Sequence, residues 1–87
     1  MRRTILDGRN MRTREDAHRE LREKLALPSY YGNNLDALFD CITTMKAQVF
    51  MENADAMLES LGIYGERLLE TFRDGAAENP GFIFTRL

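Results

Sequence analysis

Asp36 and Asp40 are the residues whose type and spacing point most directly to chemistry. They stand four positions apart, so they share one stripe of a helix, and no lysine or arginine occurs between residues 25 and 45. Like charges at this spacing cost a helix roughly a few tenths of a kcal/mol. A cationic partner outside the chain would offset that cost, and Tyr30 and Tyr31 add aromatic contact area beside the pair. The pattern indicates a surface that binds a basic molecule.

The acidic pair is open to other interpretations. An acidic helix face that is simply solvated has the same spacing. Two carboxylates also bind magnesium or act as acid and base, although no cleft is predicted around an exposed helix edge. Asp36 falls in the first predicted turn, where the helix dipole stabilises a carboxylate by about 0.3–1 kcal/mol. Asp40 lies beyond that turn, so it carries most of the inference of binding.

The acidic pair needs a helix to carry it, and residues 34–44 have the required period. Apolar side chains recur there at i, i+3, i+4 and i+7, which predicts one buried face made of Leu35, Leu38, Phe39 and Ile42. Asn33 or Asn34 is placed to cap this helix, and Gly32 is free to adopt a positive φ in the preceding loop. Further along the chain, Asn53 is predicted to cap a helix over 54–61.

The other predicted elements alternate along the chain. Strands are predicted at 3–6, 48–52 and 82–85, and further helices at about 14–26, at 54–61 and around the apolar stripe that runs from Leu68 to Ala76. Strands separated by helices pair in parallel. The predicted fold is therefore α/β, with a small three-stranded parallel sheet covered by about four helices.

Enzyme motifs are absent from the sequence. It has no glycine-rich phosphate loop, no GxSxG and no HExxH. Its one histidine, His18, falls among charged helical residues, and we interpret it as a group at the edge of the core. The one cysteine, Cys41, has no CxxC or Cys/His companion and is predicted to be a buried small hydrophobe. We therefore expect a binding protein that is not an enzyme and has no cofactor and no metal.

Length and charge narrow the class of protein further. The 87 residues fit one domain, 1–87, and 44% hydrophobic with 30% charged residues is typical of a folded protein. Residues 1–24 hold eight basic and five acidic residues, a net charge of +3, whereas the rest hold four and nine, a net charge of −5. The acidic part contains the aspartate pair, and such a surface repels nucleic acid and attracts basic proteins. Because no apolar run suits a membrane span or a signal peptide, we expect a cytoplasmic protein.

The twelve residues from Tyr30 to Cys41 read YYGNNLDALFDC and resemble the signature of the barstar family, intracellular inhibitors of the secreted ribonuclease barnase. The resemblance extends more thinly to the first predicted strand, to Phe72-Arg73-Asp74 and to the last apolar run. It implies a barstar-like fold. It also implies a stoichiometric inhibitor that occludes the active site of a basic, barnase-like ribonuclease with an acidic helix and the loop before it.

The resemblance also implies a set of partner-binding residues, by position in the motif. They are Tyr30, Gly32, Asn34, Leu35, Asp36, Phe39, Asp40, Thr44, Met45 and, from the last helix, Asp74. Asp40 matches the dominant contact of the family. Where the family has tryptophan, glycine, tryptophan and glutamate, this chain has Phe39, Thr44, Met45 and Asp74.

These departures keep two alternatives open. One is a barstar-like immunity or interaction module for a different toxin nuclease or for a partner that is not a nuclease. The other, from a different class, is a small metal-dependent hydrolase that uses Asp36 and Asp40. The leading hypothesis involves no direct contact with nucleic acid or with a membrane.

Overall fold

Three parallel strands organise the chain. The computed structural model describes residues 2–87 and places β1 (Arg2–Asp7), β2 (Ala47–Glu52) and β3 (Phe82–Arg86) side by side in that order. Both neighbouring pairs of strands are parallel. Tight turns cannot join parallel strands, so helices connect them. The predicted α/β fold with a three-stranded parallel sheet is confirmed.

Four α-helices occur within residues 2–87, together with a short 3₁₀ helix (Gly8–Asn10). They are α1 (Arg14–Leu25), α2 (Leu35–Ile42), α3 (Ala54–Leu61) and α4 (Ile63–Glu78). A single residue, Gly62, separates α3 from α4, and its φ of 57° turns the chain sharply enough for α4 to begin at once. The sequence predicts this helix only around the stripe from Leu68 to Ala76, so the start at Ile63 is earlier than the pattern indicates. Helix α2 is also shorter than predicted, because the backbone N–H groups of Thr44 and Met45 bond to carbonyl oxygens three residues back instead of four, which tightens the chain and ends the α-helix. Thr43 Oγ1 donates to the carbonyl oxygen of Asp40 at 2.9 Å.

The core lies between the sheet and the helices. Alternate residues of β2 point into it, so Ala47, Val49 and Met51 are fully buried. Helix α4 contributes Phe72, whose ring stacks on that of Phe84 in β3 with centroids 4.6 Å apart. This packing fixes α4, and through it α2, against the sheet.

Side-chain caps set the beginning of the first two helices. Thr13 Oγ1 accepts the Asp16 N–H at 3.0 Å, and Asn34 Oδ1 accepts the Ala37 N–H at 2.7 Å. The second is one of the two caps that the sequence offers for this helix. It fixes the start of the helix that carries the acidic pair.

Two local predictions are wrong. The residue with positive φ in the loop before α2 is Asn33 (φ 53°) and not Gly32, since asparagine is one of the few residues other than glycine that tolerate this conformation. Asn53 occupies the first position before α3, but its side chain does not cap the helix. Its amide donates instead to Asp7 Oδ1 at 3.1 Å, because the end of β1 offers it an ionised acceptor.

Helices α2 and α4 approach closely at Gly75. A Cβ at this position would overlap the side chain of Ile42, so only glycine fits without a shift. An isolated helix loses about 1 kcal/mol from an internal glycine relative to alanine. Gly75 is tolerated in α4 because it lets the two helices pack.

Replacing Gly75 by alanine should therefore destabilise the protein, although alanine is the better helix former. We expect a net loss of roughly 1–3 kcal/mol in the free energy of unfolding, measured by urea denaturation. Ile42→Ala opens a cavity but removes the clashing atoms. The double variant should accordingly lose less than the sum of the two single losses, and strictly additive losses would contradict the proposed overlap.

Candidate partner-binding site

Helix α2 presents both aspartates of the acidic pair to solvent. Asp36 and Asp40 are exposed, and Asp36 lies in the first turn after the Asn34 cap, as predicted. Within residues 2–87 the ion pairs all lie on other parts of the surface, so no side chain of that region neutralises either carboxylate through a salt bridge. The repulsion between the two charges is therefore not offset within the described chain.

A groove lies beside Asp40. Its walls are formed by Tyr30, Tyr31, Gly32, Ala37, Asp40 and Cys41. A second groove shares Tyr30 and Cys41 with the first and continues past Thr44 and Met45 to Arg2 of β1. Tyr30 stands between them with 86% of its surface exposed, which is unusual for an aromatic side chain without a partner.

The structure thus brings most of the predicted contact residues together on one surface. We call this surface the acidic face and define it as Tyr30, Gly32, Asp36, Asp40, Thr44 and Met45. It combines uncompensated carboxylates with a free aromatic ring and a shallow, partly apolar depression. A basic protein surface is the kind of partner that this combination suits.

Asn34 and Asp74, two further predicted contact residues, lie outside the acidic face. Asn34 is exposed, but its side chain is engaged by the chain itself, since its amide also donates to the carbonyl oxygen of Gly32 at 3.1 Å. Asp74 is exposed on α4 and lines neither groove of the acidic face. It directly precedes Gly75, so it lies on the helix that packs against α2.

The predicted apolar face of α2 is buried only in part. Leu38 and Ile42 are fully buried, whereas Leu35 and Phe39 are half-buried. Leu35 packs against the core. The half-buried positions lie at the margin of the helix, so each keeps some apolar surface available for contact with a partner.

The sequence does not predict which side chains hold the loop before α2. Tyr31 is buried, unlike its neighbour Tyr30, and its hydroxyl lies 2.7 Å from Nδ1 of His18. Burial raises the pKa of the Tyr31 hydroxyl, so it stays protonated. His18 is buried as well, and its Nε2 lies 2.7 Å from the hydroxyl of Tyr64 on α4. Two adjacent tyrosines give no local signal of which one turns inward.

The far end of α2 is held by Asn79. Its Nδ2 donates to the carbonyl oxygens of Ile42 and Met45, at 2.7 and 2.8 Å, and its Oδ1 accepts the Gly81 N–H at 2.9 Å. The sequence identifies residues 79–81 only as a break between α4 and β3. These hydrogen bonds show that the break also satisfies the end of the helix that carries the acidic pair.

Comparison with known proteins decides the family. The Barstar family, described as "Barstar (barnase inhibitor)", matches residues 1–85. The chain belongs to the Barstar family. A similar protein from Bacillus subtilis (strain 168), named "Putative ribonuclease inhibitor YrdF", is 37% identical over 81 residues, which cover 90% of this chain and 89% of that protein. The resemblance inferred from the segment Tyr30 to Cys41 is therefore confirmed.

The lone cysteine of this Barstar-family chain corrects another prediction. The sequence predicts that Cys41 is buried, and this is wrong, because the side chain is half-buried and lines both grooves. Its position explains the exposure, since it follows the exposed Asp40 and lies about 100° further around the helix, at the margin of the core. Burial, together with the negative charge of Asp40, raises the pKa of the Cys41 thiol.

We expect the Cys41 thiol to react slowly, but measurably, with a thiol reagent. The raised pKa leaves less thiolate at pH 7 than in a free cysteine, so the rate should increase as the pH rises past the usual range. A bound partner on the acidic face should block the reaction. Cys41→Ala should lower the free energy of unfolding by no more than about 1 kcal/mol, because only a small group is removed. A labelling rate as fast as that of the unfolded chain would contradict this prediction.

Two features are not found among residues 2–87. No group of three or more His, Cys, Asp or Glu side chains is arranged there to hold a metal ion. None of the helices in this part of the chain is both long enough and apolar enough to cross a membrane.

Proposed function

We propose that this Barstar-family chain is a stoichiometric inhibitor of a basic, barnase-like ribonuclease. The observation that carries the proposal is the pair Asp36 and Asp40, exposed and without a salt bridge within residues 2–87, beside the free ring of Tyr30. A ribonuclease needs a cationic site to hold the phosphates of RNA. Carboxylates on α2 are suited to that site, so the acidic face would occlude it without turnover and without a cofactor.

The hydrogen bonds that hold α2 and the loop before it favour tight binding to a partner. Asn34 fixes the start of α2, the His18–Tyr31 hydrogen bond holds the loop, and Asn79 fixes the end of the helix. A surface that is already ordered loses little conformational entropy when a partner binds. Carboxylates carried on it therefore keep their geometry both before and after binding.

Apolar contacts would complete the interface. Tyr30 offers an exposed ring, and Phe39 and Met45 are half-buried at the margin of α2. Large side chains of this kind form the energetic centres of many protein interfaces. Thr44 and Asp74 are exposed and would contact the partner at the rim.

Four of the predicted contact positions favour a second candidate function, that of an immunity protein for a different nuclease. Phe39, Thr44, Met45 and Asp74 are the four residues that depart from the family pattern, and none of the four is fully buried. A change at an interface alters the fit to a particular partner. The chain would then be the immunity protein of a different toxin nuclease, using the same acidic face. In either case a protein that protects its own cell from a secreted nuclease acts in the cytoplasm.

Titration against barnase tests the leading proposal. With barnase held at fixed concentration, RNA cleavage should fall linearly and reach zero at one molecule of inhibitor per molecule of enzyme. Asp36→Asn with Asp40→Asn should abolish the effect, whereas Glu59→Gln, which removes an exposed charge from α3, should leave it intact. Binding without inhibition would favour an interaction module instead.

Two further outcomes separate the alternatives. If barnase is not bound, a pull-down with the basic secreted nucleases of the same genome tests the second candidate. Hydrolysis by the chain alone that a chelator abolishes would contradict both inhibitor proposals and favour the metal-dependent hydrolase.

A further inference from the structure

One buried side chain joins three elements around the acidic face. His18 of α1 is only 2% exposed, and its two ring nitrogens each lie 2.7 Å from a tyrosine hydroxyl. One hydroxyl belongs to Tyr31, in the loop before α2, and the other to Tyr64 at the beginning of α4. His18 is too deeply buried to touch a partner protein, so any effect on binding must pass through these contacts.

The hydrogen bonds of His18 continue through Tyr31 to Asn34, the residue that caps α2. The Tyr31 hydroxyl is 3.5 Å from the carbonyl oxygen of Asn34, which also accepts the N–H of Leu38 in the first turn of α2. A neutral imidazole has one donor and one acceptor. If Nδ1–H donates to Tyr31, then Tyr31 donates to Asn34 and the Tyr64 hydroxyl donates to Nε2. This tautomer is assigned from the hydrogen-bond network, because it is the one in which Tyr31 can both accept and donate.

We propose that His18 is a positioning residue for partner binding. In its neutral form it holds Tyr31, and through Tyr31 it holds the first turn of α2, so that Asp36 and Asp40 keep the geometry of the acidic face. The inference rests on the proposed function, because it names the group that controls the same surface.

The surroundings of His18 are cationic and open to protons. A groove leads to His18 from the surface and is lined by Arg14, Glu15, Arg19, Arg22 and Asn33. Arg19 is paired with Asp16, the guanidinium of Arg14 lies 4.2 Å from the ring centroid of Tyr64, and that of Arg22 donates to Asn33 Oδ1. Across the loop, Tyr31 faces the thiol of Cys41, and α4 contributes the Tyr64 hydroxyl. Glu15 is thus the one carboxylate among the groove-lining residues, against three guanidinium groups.

Protonation of His18 would reverse the hydrogen bond at Tyr64 but keep the one to Tyr31, because Nδ1–H donates in both forms and Nδ1 gains part of the new positive charge. Both ring nitrogens become donors, so the Tyr64 hydroxyl can no longer donate to Nε2. Burial lowers the pKa of His18, and the charge of Arg22 lowers it further. The unfolded chain therefore takes up this proton first, near its usual pKa of about 6.5. The stability contributed by neutral His18 is complete above that pH and is lost as the pH falls from there through the lower pKa of the folded state.

Nuclear magnetic resonance of the free chain, residues 1–87, tests the link without a partner. As the pH is lowered from 7.5 to 5.0, the ring signals of His18 should titrate below the usual histidine range. The backbone amides of Gly32, Asn34 and Ala37 should shift with the same midpoint. Tyr31→Phe keeps the ring but removes the hydroxyl, so His18 should still titrate while the three amides cease to follow it. Amides that do not follow His18 in the wild type, or that still follow it in Tyr31→Phe, would overturn the proposal.

Binding supplies the second test. At pH 7.5 and well below the unfolding temperature, His18→Gln should weaken the complex with barnase by about tenfold. Met57→Val, a core change in α3, lowers stability without removing any hydrogen bond of the network. It should leave the affinity within twofold, because a loss of stability alone does not change the binding of the folded fraction.

These results separate the inference from the function on which it rests. If wild type and His18→Gln inhibit barnase equally at every pH, the positioning role is refuted while the inhibitor remains. If the amides follow His18 but no nuclease is bound, the positioning of the acidic face stands and its assignment to a ribonuclease is refuted.

Discussion

Asp40→Ala is expected to weaken the complex with the ribonuclease at least thirtyfold, about 2 kcal/mol, without lowering the stability of the free inhibitor. Asp40 lines the groove beside Tyr30, and it lies too far along α2 to gain from the helix dipole. Its removal relieves the repulsion with Asp36, so the melting temperature should be unchanged or slightly raised. The loss of affinity arises because a cationic pocket in the partner is left without its carboxylate.

Asp36→Ala is the matched comparison. Asp36 lies in the first turn of α2, so its loss should cost about 0.3–1 kcal/mol of stability in addition to affinity. It does not line the groove, so its effect on binding should be the smaller of the two. Calorimetric titration and thermal unfolding of both variants make the comparison. An equal loss of stability from the two changes would show that the dipole does not distinguish them.

Association with the ribonuclease should be fast at low salt and should slow strongly as salt is added. The acidic face approaches a cationic site that binds phosphates. Electrostatic attraction between such oppositely charged surfaces raises the on-rate about 10–10³-fold above the usual 10⁵–10⁶ M⁻¹s⁻¹. In 0.5 M salt the Debye length falls to roughly 4–5 Å, so most of this gain should disappear. The off-rate should change less, because charges within the formed interface are shielded from solvent. Stopped-flow mixing over a salt series measures both rates.

Helix α1 should moderate this attraction. Its Arg14, Arg19 and Arg22 share a groove with Asn33, so a cationic surface begins next to the loop of the acidic face. Arg19→Gln should therefore increase the on-rate at low salt, whereas Arg67→Gln on α4 is the control for a change in net charge. An on-rate that does not depend on salt, with inhibition retained, would mean that Tyr30, Phe39 and Met45 drive recognition through apolar contacts.

The sequence predicts the parts of this structure that depend on neighbouring residues. The period of α2, its Asn34 cap and the order of strands and helices follow from spacing over a few positions, and all three are confirmed. The exposure of Asp36 and Asp40 follows in the same way, because the apolar stripe fixes which side of the helix faces the core. The local spacing of apolar residues therefore predicts burial wherever one face of a helix or strand packs against the core.

The details that the sequence does not predict depend on contacts between distant residues. Whether Tyr30 or Tyr31 turns inward depends on His18, and the end of α2 depends on Asn79, 37 residues beyond Ile42. Asn53 could cap α3, but Asp7 offers its amide a stronger acceptor. Cys41 lies at a margin whose exposure is set by how closely the loop approaches α2. In each case a single side chain had two possible partners, and only the folded chain decides between them.

The amide of Asn79 has a consequence for the order in which the protein can become active. It secures the last turn of α2 from a position 37 residues beyond Ile42, and the strand that follows it pairs with β2. A chain still attached to the ribosome at Gly75 has already synthesised every residue of the acidic face but lacks the group that fixes its far end. We therefore expect the acidic face to gain its final geometry only once Asn79 and β3 have been synthesised, later than the residues that form the face.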